Sequence, residues 1–181
     1  MHGVDRRKKV GLMTRILGID ASTKCTGYAV VNTAGKLLLH GVIDFKSESD
    51  IDERIDGMIG ELIEIFDDVG PDICYIEDSW NGKSVLNVQT TKKLTNIIGA
   101  VRCLSIQNGC LFNSVYPSAW RSAIGIDGGK GTKREEFKQR AIEWVKKKFD
   151  LDVSDDEAEA ICIAYAGNIM NNKMFEEEDL F

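Results

Sequence analysis

Four carboxylates placed at the ends of predicted secondary-structure elements constrain this chain more than any other feature. Asp20 and Glu77 each close a short, largely apolar run, and Asp156 and Glu159 lie at the start of a helical stretch. Carboxylates are almost never buried unless they are paired or bound to a metal ion. Two strand ends and one helix start that supply carboxylates therefore predict a site for a hard cation such as Mg²⁺, of a kind suited to phosphodiester chemistry.

The two carboxylates of the predicted last helix are spaced to share one face. Asp156 and Glu159 are three positions apart, so both project from the same side of the helix. Acidic residues in a first turn also suit the helix dipole, which is a purely structural explanation. Asp155 is an alternative to Asp156, because it lies four residues before Glu159. Several alanines in this helix would let it approach a sheet closely.

The charge of the chain is unevenly distributed. The net charge is −6, yet residues 83–148 contain 13 Lys and Arg against 4 Asp and Glu. The rest of the chain contains 10 Lys and Arg against 25 Asp and Glu. This asymmetry predicts one face for a polyanion such as nucleic acid. The alternative is that solvated helix faces in this region are simply rich in lysine.

Cysteine usage and hydropathy favour a cytoplasmic protein. The five cysteines form no CxxC pair, and Cys74, Cys103 and Cys162 lie in apolar periodic stretches, which predicts buried thiols rather than disulfides or zinc ligands. Two histidines are too few for a His-rich metal site. No apolar run approaches the roughly 18 residues of a membrane span, and the basic N-terminus has no apolar signal core.

The hydrophobic periodicity predicts one α/β domain with a mixed sheet. Strands are predicted at 15–20, 27–32, 37–44, 72–77 and 111–116, and helices at 51–68, 84–108, 133–149 and 155–170. Three consecutive strands before the first helix predict three antiparallel strands, followed by two parallel ones, in a five-stranded sheet flanked by helices. We expect a flexible extension at 1–13, a single domain at 14–170 and an acidic tail at 171–181.

Three short motifs resemble the RuvC family of Holliday junction resolvases, which belongs to the RNase H-like superfamily. They are Gly-Ile-Asp-x-Ser at Gly18–Ser22, Tyr-Ile-Glu at Tyr75–Glu77 and Asp-x-x-Glu-Ala at Asp156–Ala160. The resemblance runs from about residue 15 to about residue 167. It implies an RNase H-like fold and a Mg²⁺-dependent endodeoxyribonuclease that resolves four-way DNA junctions by paired phosphodiester hydrolysis.

The resemblance also assigns the catalytic positions. It implies that Asp20, Glu77, Asp156 and Glu159 hold two Mg²⁺ ions, for which Mn²⁺ can substitute. Glu159 departs from the family pattern, which commonly has a second Asp there. Lys133 follows the glycine-rich segment 125–132 and corresponds to a family lysine near the scissile phosphate.

The predicted DNA contacts combine the resemblance with the basic region. Trp80 stands where the family carries an aromatic residue suited to stacking on bases. The basic residues expected to contact phosphates are Lys83, Arg121, Lys130, Lys133, Arg134 and Lys138. The resemblance also implies a homodimer through the helix near residues 84–107, which is rich in apolar and small residues.

Other functions are compatible with parts of the pattern. An ATP-binding protein of the actin and sugar-kinase type also begins with a Gly-Ile-Asp strand, but it needs a second lobe and a much longer chain. A nuclease of the pre-ribosomal-RNA processing type, or one acting on other branched DNA or on RNA, is a second alternative. The third is a catalytically inactive junction-binding module, against which the complete set of acids argues.

Overall fold

The computed structural model describes residues 14–48, 50–78, 88–126, 128–129 and 131–178, without the side chains of 88–90 and 173–178. Their core is a five-stranded sheet in the order β3-β2-β1-β4-β5. The strands are β1 Arg15–Asp20, β2 Cys25–Asn32, β3 Leu37–Asp44, β4 Ile73–Glu77 and β5 Leu111–Val115. β2 is antiparallel to β1 and β3, whereas β4 is parallel to β1 and β5. The predicted mixed sheet is confirmed.

The described helices agree with the predicted pattern except at two places, and residues 84–87 of the second predicted helix lie outside the described ranges. They are α1 Ile51–Val69, α2 Val88–Gln107, α3 Pro117–Ala123, α4 Arg134–Phe149 and α5 Asp155–Glu178. The short helix α3 lies outside the predicted helices; its first residue, Pro117, is a residue well suited to a first helical turn. α5 continues past the predicted end at Met170, since no glycine or proline interrupts it there.

Both faces of the sheet are covered, which explains why the buried residues of β1 and β4 are apolar on both sides of the strand. Ile16 packs with Trp120 and Ile161 in a core beneath α3, α4 and α5. The next residue, Leu17, points to the opposite face and packs with Met58 in a second core beneath α1 and α2. Successive side chains of a strand point to opposite faces, so a strand covered on both sides loses the polar alternation of a half-exposed one.

The backbone of α5 contacts the sheet at two strand positions that are occupied by glycine, so no side chain separates the helix from the strands there. A Cβ atom added to Gly18 of β1 would lie 2.6 Å from the carbonyl oxygen of Ala160 and would also meet the backbone of Ala164. One added to Gly27 of β2 would collide with the Asp156 carbonyl oxygen. The first turns of α5 are therefore held directly against β1 and β2, as the small residues of the helix predicted.

The cysteines follow the prediction at two of the three positions. Cys74 and Cys162 are fully buried free thiols, but Cys103 is exposed, so its predicted burial was wrong. The apolar period of α2 places Val101 and Leu104 in the core and turns Cys103 outward. In the described part of the chain, no helix has the length and hydropathy needed to cross a membrane.

The close contact of α5 with the sheet generates a stability prediction. We expect Gly18→Ala to lower the free energy of unfolding by about 2–3 kcal/mol or more, because the new methyl group meets rigid backbone rather than a mobile side chain. Gly60→Ala is the matched control: Gly60 lies in α1 with open space around its Cα, and alanine should add about 0.5–1 kcal/mol there. Urea unfolding of the two variants measures both effects, and a neutral Gly18→Ala would contradict this packing.

Candidate active site

The topology brings the four predicted acids to one edge of the sheet. β1 and β4 are parallel neighbours in which Ile19 is opposite Ile76, so Asp20 and Glu77 leave the sheet side by side. On the other side of β1, Asp20 is paired with Gly27, the residue that contacts the Asp156 backbone. The carboxyl ends of parallel strands and the start of α5 thus meet at this edge.

Asp20 shows that the acids form one electrostatic cluster. Its side chain is partly buried, and burial is the largest cause that raises its pKa well above the ordinary value. The negative charges of Glu77, Glu159 and Asp156, in that order, raise the pKa further, and the positive charge of Lys138 lowers it. Like charges this close favour the protonated form of Asp20.

Glu77 has a hydrogen-bond donor of its own. The indole Nε1 of Trp120 donates to Glu77 Oε2 at 2.6 Å. Burial raises the pKa of Glu77; the Trp120 hydrogen bond opposes this, and the charge of Glu159 raises the pKa again. The net effect is a raised pKa, although the nearby charges of Arg121 and Arg134 also favour the carboxylate form.

Glu159 is the most buried acid of the cluster and is paired with an arginine. The residue is 4% exposed, and Arg121 Nη2 lies 3.2 Å from its Oε1. Burial raises the pKa of Glu159, whereas Arg121 and Lys138 lower it, and the net shift is upward. The Arg121 guanidinium also lies 4.9 Å from the ring centre of Trp120 and 4.4 Å from that of Phe137, which holds it in place.

Lys138 distinguishes the two alternative aspartates at the start of α5. Its Nζ lies 2.5 Å from Asp155 Oδ2 and 3.8 Å from Asp156 Oδ1. The Asp155 side chain is 43% exposed, against 20% for Asp156, and the hydrogen bond from Lys138 lowers the pKa of Asp155. Asp156, not Asp155, is therefore the aspartate turned toward Asp20, whose pKa it raises.

Of the predicted basic site residues, some are exposed at the surface and others are paired with the acids. Lys133 and Arg134 are exposed at the start of α4, and the charge of Arg134 reaches Glu77 and Glu159. Arg121 and Lys138, predicted as phosphate contacts, are ion-paired with acids of α5. Three further predicted residues lie outside the described ranges: Trp80, Lys83 and Lys130.

Two residues of the site were missed in the sequence. Trp120 belongs to the unpredicted helix α3, although a buried indole N–H usually requires an acceptor and could have indicated a partner. Cys25, directly after the turn that follows Asp20, is the second. Burial and a hydrogen bond to Asp156 raise the pKa of the Cys25 thiol to about 12, so the thiol stays protonated beside the carboxylate at neutral pH.

The donor set fits a hard divalent cation. Four carboxylates supply oxygen ligands only, and a cation would relieve the repulsion that raises the pKa of Asp20. Within the described ranges, no three Asp, Glu, His or Cys side chains are already grouped as metal ligands. Glu77 and Glu159 each direct one oxygen to Trp120 or Arg121, so a cation would bind their remaining oxygens or require a change of rotamer.

The burial of Asp20 and the repulsion from its neighbouring acids predict how stability depends on pH. Because the pKa of Asp20 is raised in the folded state, the folded protein holds a proton that the unfolded chain loses above about pH 4. The free energy of unfolding should therefore fall as the pH rises from about 4 through this raised pKa. In a chelating buffer at pH 7, we expect Asp20→Asn to be more stable than the wild type. This difference should shrink as the pH falls through the raised pKa of Asp20 and should no longer change below about pH 4.

The control for this prediction is Asp155→Asn. The pKa of Asp155 is lowered by Lys138, so its carboxylate stabilises the fold above its ordinary pKa and its removal should slightly destabilise the protein at pH 7. Thermal melts across this pH range compare the two variants. An Asp20→Asn protein less stable than the wild type at pH 7 would contradict the cluster.

Comparisons with known proteins agree with this geometry. The family model for crossover junction endodeoxyribonuclease RuvC matches residues 16–165. The RuvC of Chlorobium phaeovibrioides is 30% identical over 154 residues, which are 81% of this chain and 79% of that protein. The RuvC of Citrifermentans bemidjiense is 29% identical over 170 residues, which are 89% of this chain and 97% of that protein.

Solved structures show the same fold. Thermus thermophilus RuvC in complex with a Holliday junction substrate superposes with a TM-score of 0.69 at 17% identity, over 88% of this chain and 96% of that one. The yeast mitochondrial Holliday junction resolvase gives 0.55 at 14% identity, over 96% of this chain and 87% of that one. The RNase H-like fold predicted from the motifs is confirmed. On the family match and the identity to its relatives, this chain belongs to the RuvC family of crossover junction endodeoxyribonucleases.

Proposed function

We propose that this protein is a Mg²⁺-dependent endodeoxyribonuclease that resolves four-way DNA junctions by paired phosphodiester hydrolysis. The observation that carries the proposal is the meeting of Asp20, Glu77, Asp156 and Glu159 at one sheet edge, within a chain of the RuvC family. The substrate class is supported by the related Thermus protein, which is bound to a Holliday junction substrate.

The acids are proposed to hold the metal ions. The charges of Glu77 and of the α5 acids Asp156 and Glu159 all act on Asp20, so Asp20 is the acid best placed to bind both ions. When bound there, two Mg²⁺ ions would activate a water and stabilise the leaving 3′ oxygen of an in-line displacement. Oxygen-only ligands favour Mg²⁺ or Mn²⁺ over zinc.

The basic residues around the acids are proposed to receive the phosphate backbone. Arg134 and Lys133 are exposed at the start of α4, and the charge of Arg134 acts on two of the acids, so this helix start lies beside the cluster. Exposed lysine and arginine beside the cleavage site supply the nonspecific part of DNA affinity. We retain Lys83, Lys130 and the stacking role of Trp80 as predictions from the sequence.

A homodimer is proposed through the outward face of α2. Ile97, Val101 and Leu104 of this helix are buried against the sheet. On the opposite side, Cys103 is exposed and Ile106 is 68% exposed, so apolar surface is available there for a second copy of the chain. A twofold enzyme would present one acid cluster to each of the two symmetric strands of a four-way junction.

A cytoplasmic location is the last part of the proposal. All five cysteines are free thiols, as is usual for proteins of a reducing compartment.

The proposed metal site is tested by conservative substitution of the acids. Asp20→Asn and Glu77→Gln keep the shape of the side chain but remove its charge, so cleavage of a synthetic four-way junction with Mg²⁺ should fall by at least about 10²-fold. Junction binding in a chelating buffer should be unchanged or tighter, because negative charge is removed beside the DNA. Gel assays of cleavage and binding measure both.

The matched control is the pair of neighbouring aspartates on α5. Asp156→Asn should lose cleavage, whereas Asp155→Asn should keep it, because Asp155 is paired with Lys138 and more exposed. Near-normal cleavage by Asp20→Asn would refute the metal site, and loss of cleavage only in Asp155→Asn would reverse the assignment of the two aspartates.

The proposed dimer is tested by placing a charge on α2. Sedimentation velocity at micromolar concentration should show a dimer for the wild type and a monomer for Ile106→Glu, because the glutamate would be buried unpaired at the interface. Ile63→Glu is the matched control: Ile63 is 41% exposed on α1, and this variant should remain dimeric. A monomeric wild type, with and without junction DNA, would exclude the paired incision.

A further inference from the structure

We propose that Trp120 is a positioning residue of the active site, which fixes the Glu77 carboxylate through its indole N–H so that the other oxygen faces the metal ions. This inference rests on the proposed metal-dependent function and adds a residue to it. Trp120 stands on α3, outside the three motifs that identify the family, and supplies no metal ligand itself.

The contact between Trp120 and Glu77 is short and specific. Nε1 lies 2.6 Å from Oε2, which is shorter than the usual N–H···O distance of about 2.7–3.2 Å. Charged acceptors favour such short hydrogen bonds. An indole has one donor and no acceptor, so it occupies a single position on the carboxylate. Glu77 Oε1 is therefore left for another partner while Oε2 is held.

The environment of Trp120 makes this donor rigid. The ring is 0% exposed and belongs to the core beneath α3, α4 and α5. The Arg121 guanidinium lies over the ring at 4.9 Å and reaches Glu159 with its Nη2. Two adjacent residues of α3 thus hold one acid from β4 and one from α5, so this helix fixes the relative position of the two carboxylates.

Trp144 shows what a partly buried tryptophan does in this protein when it has only a packing role. Its Nε1 donates to the backbone carbonyl of Ile124 at 3.2 Å, and its ring packs edge-on against Phe149 and Tyr165. Trp120 directs its N–H to an acid of the site instead. Of these two indoles, only that of Trp120 has a carboxylate of the site as its acceptor.

The experiment compares Trp120→Phe with Trp144→Phe. Each variant loses one indole and one hydrogen bond, but only the first loses a contact to the acid cluster. Groups that orient a metal-binding side chain typically change metal affinity by about 10–100-fold. Calorimetric titration with Mn²⁺ alone should therefore show binding at least about 10-fold weaker in Trp120→Phe and unchanged in Trp144→Phe.

The kinetics of junction cleavage distinguish a positioning role from a general loss of stability, because only a positioning role makes kcat depend more strongly on the Mn²⁺ concentration. In Trp120→Phe, kcat should fall at limiting Mn²⁺ and recover in part at high Mn²⁺, while KM for the junction stays constant. Junction binding in a chelating buffer should match the wild type, because no basic residue is changed. Trp144→Phe should show wild-type kcat and KM.

The outcomes separate this inference from the proposed function. If Glu77→Gln abolishes Mn²⁺ binding but Trp120→Phe binds Mn²⁺ as the wild type does, the positioning role is refuted and the metal-dependent function stands. A wild-type protein that neither binds Mn²⁺ nor cleaves junctions would overturn both.

A second measurement keeps the inference testable should Trp120→Phe fail to fold. The chain has three tryptophans, so the double variant Trp80→Phe and Trp144→Phe leaves Trp120 as the only one. Its fluorescence should change during titration with Mg²⁺ alone, with the midpoint that calorimetry with Mg²⁺ gives for the same double variant. A constant emission over a titration in which calorimetry registers binding would overturn the positioning role.

Discussion

The contact between the backbone of α5 and strands β1 and β2 is the constraint on which the rest of the structure depends. Gly18 and Gly27 leave no room for a side chain between sheet and helix. The helix start is therefore fixed against the sheet edge where Asp20 and Glu77 emerge. Any larger residue at these glycines would displace Asp156 and Glu159 as well as the core, so the same packing that stabilises the fold positions the site.

The acid cluster is tolerated because the surrounding residues compensate for its charge. Trp120 donates to Glu77, Arg121 pairs with Glu159, and Lys138 pairs with Asp155 and Asp156. The pKa values of Asp20, Glu77 and Glu159 are all raised, chiefly by burial, and those of Asp20 and Glu77 also by neighbouring carboxylates. Buried carboxylates that repel each other favour added positive charge, which a divalent cation would provide.

The sequence predicted where the basic residues are concentrated, but the tertiary structure decided which of them pair with acids. The excess of Lys and Arg in residues 83–148 predicted a surface for a polyanion. Two residues from that set, Arg121 and Lys138, lie against the acids, while Lys133 and Arg134 are exposed beside them. Composition counts charges, but only the packing of α3 and α4 on α5 decides which of them face acids and which face solvent.

The sequence alone determined the mixed sheet and most helices, because hydrophobic periodicity is a local signal that survives in a single chain, and it placed four acids at two strand ends and a helix start. The pairing of Asp155 with Lys138, the exposure of Cys103 and the partnership of Trp120 with Glu77 depended on tertiary structure. Each is set by contacts between residues far apart in the chain. The first turns of α5 contain several acids that lie near the same sheet edge. Their environments differ only because Lys138, β1 and α3 contact or face different members of this set.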